Sequence, residues 1–121
     1  ESAGGRVIAA GDDARDAVVE ADLVIDGIVG LGARPGLRPV AAALVAAIAC
    51  PVVAVDLPSG LDADSGSAEG PHVVADLTVT FTAPKRCLTE HPAAGAAGAV
   101  IVADVGIDLG PGPRDASVPV G

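Results

Sequence analysis

The run Val52-Val53-Ala54-Val55 constrains this chain most. It is apolar without alternation, and Pro51 and the Pro58-Ser59-Gly60 turn bound it on either side. A strand apolar on both faces needs cover on both, as strands inside a parallel sheet do. Asp22-Leu23-Val24-Ile25-Asp26-Gly27-Ile28 has the same near-continuous apolar centre.

Helical spacing separates these runs. Ala14, Ala17, Val18 and Ala21 predict a helix over 12–20, with Asp12 or Asp13 capping its start. Val40, Leu44, Val45 and Ile48 predict a second over 37–49, with Pro39 in the first turn and Pro51 as its stop. Further strands are expected over 6–10, 76–81 and 99–105. In 76–81, Leu77, Val79 and Phe81 alternate with threonines. A polar, Gly-rich loop is expected over 61–72 and a short helix over 84–91. The alternation argues an α/β sandwich with a largely parallel sheet. Residues 1–109 read as the domain and 110–121 as a Gly/Pro-rich tail or linker. The start at Glu1, without a Met or a signal peptide, reads as a piece of something longer.

Composition narrows the function. With 121 residues and a hydrophobic fraction of 50%, the chain can bury the core of one domain. Phe81 is its sole aromatic, so core volume comes from Val, Ile, Leu and Ala. A net charge of −9 disfavours nucleic acid as a partner, and nothing offers bases a stacking platform. No apolar run approaches the roughly 18 residues of a membrane span. Cys50 and Cys87 form no C-x-x-C pair and read as reduced thiols of a cytoplasmic protein.

Ligands of open α/β sheets bind beyond the carboxyl ends of the strands. Two loops occupy that position. Asp26 to Gly36 carries Gly30, Gly32 and Gly36 ahead of a helix N-terminus, an arrangement that allows close backbone approach to a phosphate. Its spacing is neither the dinucleotide fingerprint nor a P-loop. Arg34 and Arg38 would add charge there; a plain tight turn with surface arginines is the alternative. In the second loop, Asp56-Leu57-Pro58-Ser59-Gly60, a Pro-pinned turn gives the Asp56 carboxylate and the Ser59 hydroxyl defined directions. Asp56 serves there as a turn residue or as a ligand-edge carboxylate. Asp62-Ala63-Asp64 begins like a calcium loop but lacks the later ligands. His72 and His91 suggest no triad with Ser59. Lys85 follows a strand end and reads by default as a solvated lysine.

Four segments in order resemble the YjeF N-terminal domain family, the NAD(P)H-hydrate epimerases. They are Asp-Gly-Ile-Val-Gly-Leu-Gly (26–32), Val-Asp-Leu-Pro-Ser-Gly-Leu (55–61), Ala-Asp-Leu-Thr-Val-Thr-Phe (75–81) with Lys85, and Val-Ala-Asp-Val-Gly-Ile (102–107). The resemblance implies a Rossmann-like three-layer α/β/α sandwich, usually dimeric or of higher order. It implies an isomerase that interconverts the R and S epimers of hydrated NADH and NADPH (NADHX and NADPHX), often fused to an ADP/ATP-dependent dehydratase. Carried over by motif, Asp26 and Ser59 would hold a potassium ion. Gly30, Leu31, Gly32, Ala33, Arg34, Pro35 and Gly36 would line the nucleotide. Asp56 would contact the hydrated nicotinamide and carry the acid/base work. A non-catalytic nucleotide-binding or protein-interaction module of the same fold is the alternative. The family's Asn-Asn-Gly-Gly-Asp loop does not occur in these residues. The segments therefore match the carboxyl-terminal half of the domain, and the piece alone is expected to be inactive and to expose a sheet edge.

Overall fold

The computed structural model describes residues 4–28 and 35–104. Its elements run α1 (Asp12–Glu20), β1 (Val24–Asp26), α2 (Pro39–Ala46), β2 (Val52–Val55), β3 (Leu77–Phe81), α3 (Arg86–Thr89), a 3-10 turn (Ala93–Ala96) and β4 (Ala99–Ala103). The four strands form one sheet in the order β1-β2-β3-β4, every pair parallel. This is the α/β, Rossmann-like arrangement expected from the sequence.

Register shows which side chains share a face. Asp26 pairs with Ala54, Ala54 with Thr78, and Thr78 with Val100. Val45 and Ile48, from α2 and just beyond it, pack on Val52 and Ala54. Val100 packs on the cluster of Leu57, Cys87, Leu88 and Ala93. Paired residues point the same way, so α2, α3 and the 3-10 turn cover one face. None of these elements covers the opposite face, where Ile25 is 66% exposed. The β3 alternation resolves accordingly. Thr78 and Thr80 point into the covered layer and are fully buried, while Leu77, Val79 and Phe81 are half-buried on the other side.

Two expectations are corrected and one element was not foreseen. Residues 6–10 form no strand, because Val7 is 85% exposed and finds no ladder partner. The segment instead lies along α1, where Val7 and Ile8 face Asp13, Asp16 and Glu20 across an open cavity. The N-cap of α1 is Gly11, with no side-chain cap bond. Asp12 and Asp13 stand in the first turn instead, where they meet the positive end of the helix dipole. The 3-10 turn at Ala93–Ala96, between α3 and β4, carries no periodic signal because it is built from alanine and glycine. Pro39 does open α2, and 61–76 is irregular. The final strand ends at Ala103, and 105–121, including the tail, lies outside the described residues.

Candidate active site

Strand β1 ends on Asp26, a carboxylate only 3% exposed. The chain leaving β2 turns through Leu57 and Pro58, both buried, and drives Ser59 beneath it. Ser59 Oγ donates to Asp26 Oδ1 at 2.6 Å, and Ser59 N donates to Oδ2 at 2.7 Å. Ile28 N adds a bond to Oδ1 at 3.2 Å. All three donors are neutral. Among the described residues no cationic side chain lies within ion-pair distance of Asp26. Three hydrogen bonds offset part of the desolvation of a buried carboxylate but supply no opposite charge. Carboxylate and hydroxyl oxygens are hard donors, suited to an alkali or alkaline-earth cation rather than a soft metal. No cluster of His, Cys, Asp or Glu able to hold a metal forms among the described residues.

The neighbouring strand ends on a second carboxylate. Asp56 follows β2 directly in the left-handed region at φ 75. Its N–H donates to Val79 O at 2.7 Å, continuing the ladder to β3 by one bond. Its side chain is 15% exposed, and Lys85 Nζ donates to Oδ1 at 2.5 Å. Thr80 Oγ1 also donates to Oδ1, at 3.1 Å. Lys85, itself 14% exposed, reaches Thr80 Oγ1 at 2.7 Å and Phe81 O at 3.4 Å. Its placement depends on Thr82, at φ 68, which turns the chain sharply at the end of β3. Asp56 and Thr82 are the non-glycine residues with positive φ among the described residues. Such conformations cost on the order of 1–3 kcal/mol each and persist where the surroundings impose them.

The sequence-derived candidates separate as follows. Asp26 and Ser59 are brought into direct contact. Asp56 stands at the adjacent strand end with Lys85 and Thr80 as partners. Gly36 N donates to Gly60 O at 2.9 Å, tying the glycine loop to the turn that carries Ser59. Pro35 and Arg38 are exposed beside that junction. Gly30, Leu31, Gly32, Ala33 and Arg34 lie outside the described residues. The reading of Lys85 as solvated is corrected, because the Thr82 turn folds its side chain back over the end of β3. Thr80 escaped notice because it read only as the polar member of an alternating strand. Its place one residue from the strand end, on the face of Ala54, was the available signal. Asp62 Oδ1 accepts from Asp64 N at 3.0 Å, an Asx turn on the surface.

These contacts put one buried carboxylate–hydroxyl pair and one carboxylate–ammonium pair at the carboxyl ends of adjacent parallel strands. The first is an all-oxygen donor set. The second is a group able to accept or return a proton.

The chain is 50% identical over 91 residues to the bifunctional NAD(P)H-hydrate repair enzyme Nnr of Mycobacterium tuberculosis, covering 73% of this chain and 18% of that protein. It is 44% identical over 110 residues to the enzyme of the same name from Mycobacterium leprae, covering 88% and 21%. To the NAD(P)H-hydrate epimerase of Limosilactobacillus fermentum it is 46% identical over 91 residues, covering 70% and 42%. The chain thus spans about a fifth of the bifunctional relatives and about two fifths of the epimerase. The model of the family described as YjeF-related protein N-terminus matches residues 1–87, a stretch that contains Asp26, Asp56, Ser59 and Lys85. With that match across most of its length, and both carboxylate sites inside it, the chain belongs to the YjeF-related protein N-terminus family.

Proposed function

We propose that this chain supplies part of the active site of an NAD(P)H-hydrate epimerase, acting on hydrated NADH and NADPH. The observation that carries the reading is the placement of Asp56, partly shielded and strapped to Lys85, at the strand end next to Asp26 and Ser59. The names of its relatives supply the substrate class.

Epimerising the hydrated ring carbon changes neither the composition nor the oxidation state of the substrate. One bond at that carbon breaks and re-forms from the other face, so a proton is taken up and given back. Asp56 is the group assigned to that work, with geometry as the first criterion for a general acid or base. Asp26 and Ser59 would hold a potassium ion, whose fixed positive charge would help anchor an oxygen-rich substrate. Pro35 and Gly36, with Gly30 to Arg34 before them, would line the nucleotide. The complete protein would work in the cytoplasm as a dimer or larger assembly, with an ADP/ATP-dependent dehydratase as a fused partner. No helix among the described residues is long and apolar enough to cross a membrane.

The test is an NMR assay on the complete protein, starting from NADPHX enriched in one epimer. The reading expects the two epimers to equilibrate rapidly, faster in potassium than in sodium, and expects Asp56→Asn to abolish the rate. An Asp56→Asn variant as fast as the parent would remove the assignment. Nucleotide binding without turnover would favour the non-catalytic module.

A further inference from the structure

We propose that Lys85 is the positioning residue of this site, holding the Asp56 carboxylate in its working direction. The inference rests on the epimerase reading and goes beyond it, because the motif-based assignment gave Lys85 no role.

The ammonium group has three donors, and the structure offers it three acceptors: Asp56 Oδ1 at 2.5 Å, Thr80 Oγ1 at 2.7 Å and Phe81 O at 3.4 Å. A lysine so committed has no proton left over for a ligand, which is why it acts through Asp56 rather than on substrate. Thr80 completes a closed triangle. It accepts from Lys85 and donates to the same carboxylate oxygen. Oδ1 is therefore held by two donors from the end of β3, and the carboxylate cannot rotate without breaking both.

The backbone supports the same assignment. Of the two non-glycine residues with positive φ among the described residues, Asp56 is a partner in this contact and Thr82 stands three positions before Lys85, the other partner. Threonine is β-branched and resists that region more than most residues. At Thr82 the ladder bond from its N–H to Ala103 O has stretched to 3.3 Å. Ala83 N closes a tight turn on Phe81 O at 2.7 Å, and two residues on Lys85 arrives over the strand end. Local strain placed where it aims one charged side chain at another is the pattern of a functional contact.

Three variants of the complete protein test this in the epimerase assay: Lys85→Met, Lys85→Arg and Lys85→Gln. Misplacing a catalytic group by about 1 Å costs on the order of 100-fold in rate. Lys85→Met is therefore expected to lower kcat per folded molecule about 100-fold and leave KM within about threefold, the folded fraction being measured by circular dichroism because unfolded protein alone also lowers apparent kcat at constant KM. Lys85→Arg should recover about a tenth of the parent kcat, since it restores the charge with a different shape. Lys85→Gln, which keeps a polar donor and removes the charge, should leave the unfolding midpoint close to the parent's and still lower kcat. It keeps the test alive if Lys85→Met does not fold. Parent-like kcat in Lys85→Met or in Lys85→Gln, with Asp56→Asn inactive, overturns the role of Lys85 and leaves the epimerase reading standing. A parent protein that does not epimerise overturns that reading itself.

Discussion

The Ser59 hydroxyl and the Ser59 backbone N–H bind the two oxygens of Asp26, at 2.6 and 2.7 Å, across 33 positions of the chain. One residue on the turn after β2 thus satisfies both sides of a carboxylate at the end of β1. Neither group is exposed enough for water to replace the bonds. Ser59→Ala removes the hydroxyl and keeps the backbone bond. It is expected to cost roughly 1–3 kcal/mol, the usual penalty for leaving one side of a buried acceptor unserved. Asp26→Asn can keep both Ser59 contacts, its amide N–H₂ donating to the hydroxyl oxygen, but sets that N–H₂ against Ile28 N–H and should cost a similar amount. Urea unfolding of the two variants beside the parent checks both costs. A Ser59→Ala midpoint equal to the parent's would show that the contact is dispensable.

Gly60 and Gly70 both have positive φ, but only Gly60 is crowded. A Cβ built at Gly60 would stand 2.5 Å from Pro71 O and 2.7 Å from His72 Cα, whereas nothing lies within 4 Å at Gly70. Gly70→Ala should therefore cost about 1 kcal/mol for the left-handed backbone alone. Gly60→Ala adds a backbone collision and should cost at least about 2 kcal/mol. It also displaces the carbonyl that accepts from Gly36 N. Thermal unfolding of the pair provides the comparison; equal losses would mean that 71–72 yields without resistance.

The parallel sheet was legible because buried parallel strands leave a simple trace, the unbroken apolar run of Val52–Val55. The carboxyl-edge carboxylates were legible for a related reason, since Asp26 and Asp56 each stand where such a run ends. The strand expected over 6–10 failed because Val7 and Ile8 match a strand in type but lack a neighbour to pair with, and pairing is not written in a segment's own residues. The contact between Lys85 and Asp56 was hidden for a different reason. It depends on the sign of φ at Thr82, which a threonine's identity argues against. The register that puts Thr78 and Thr80 inward likewise comes from neighbouring strands, not from the alternation itself.

Cys87 and Cys50 are both free thiols, but Cys87 is buried and Cys50 half-buried. Desolvation pushes the Cys87 thiol above its ordinary value, so it stays protonated where an exposed thiol begins to ionise. Thiolate is the reactive form. Cys50 should therefore react with a maleimide at least about tenfold faster than Cys87 under native conditions, as mass spectrometry of the labelled peptides would show. The linkage has a definite sign. Because the folded value lies above the unfolded one, the contribution is whole below the ordinary thiol range, about 8.5. It falls away as pH rises through the folded value. Cys87→Ala should flatten that alkaline decline while lowering stability near neutrality through the lost packing. An alkaline decline as steep in Cys87→Ala as in the parent would assign it to other groups.

Thr78 is fully buried in β3, and its Oγ1 donates to Ala97 O at 2.8 Å, pinning the strand to the residue that ends the 3-10 turn. The same short connection is held from the other side, where Ala75 N donates to Ala96 O at 2.7 Å. Thr78→Val keeps the volume and deletes the donor, leaving the Ala97 carbonyl in a dry layer. A cost of about 1–3 kcal/mol is expected. Thr78→Ser keeps the donor and deletes a methyl group, which should cost about 1 kcal/mol through packing alone. The ordering separates the two contributions. If valine is tolerated better than serine in urea unfolding, packing rather than the hydrogen bond holds the 3-10 turn against the sheet.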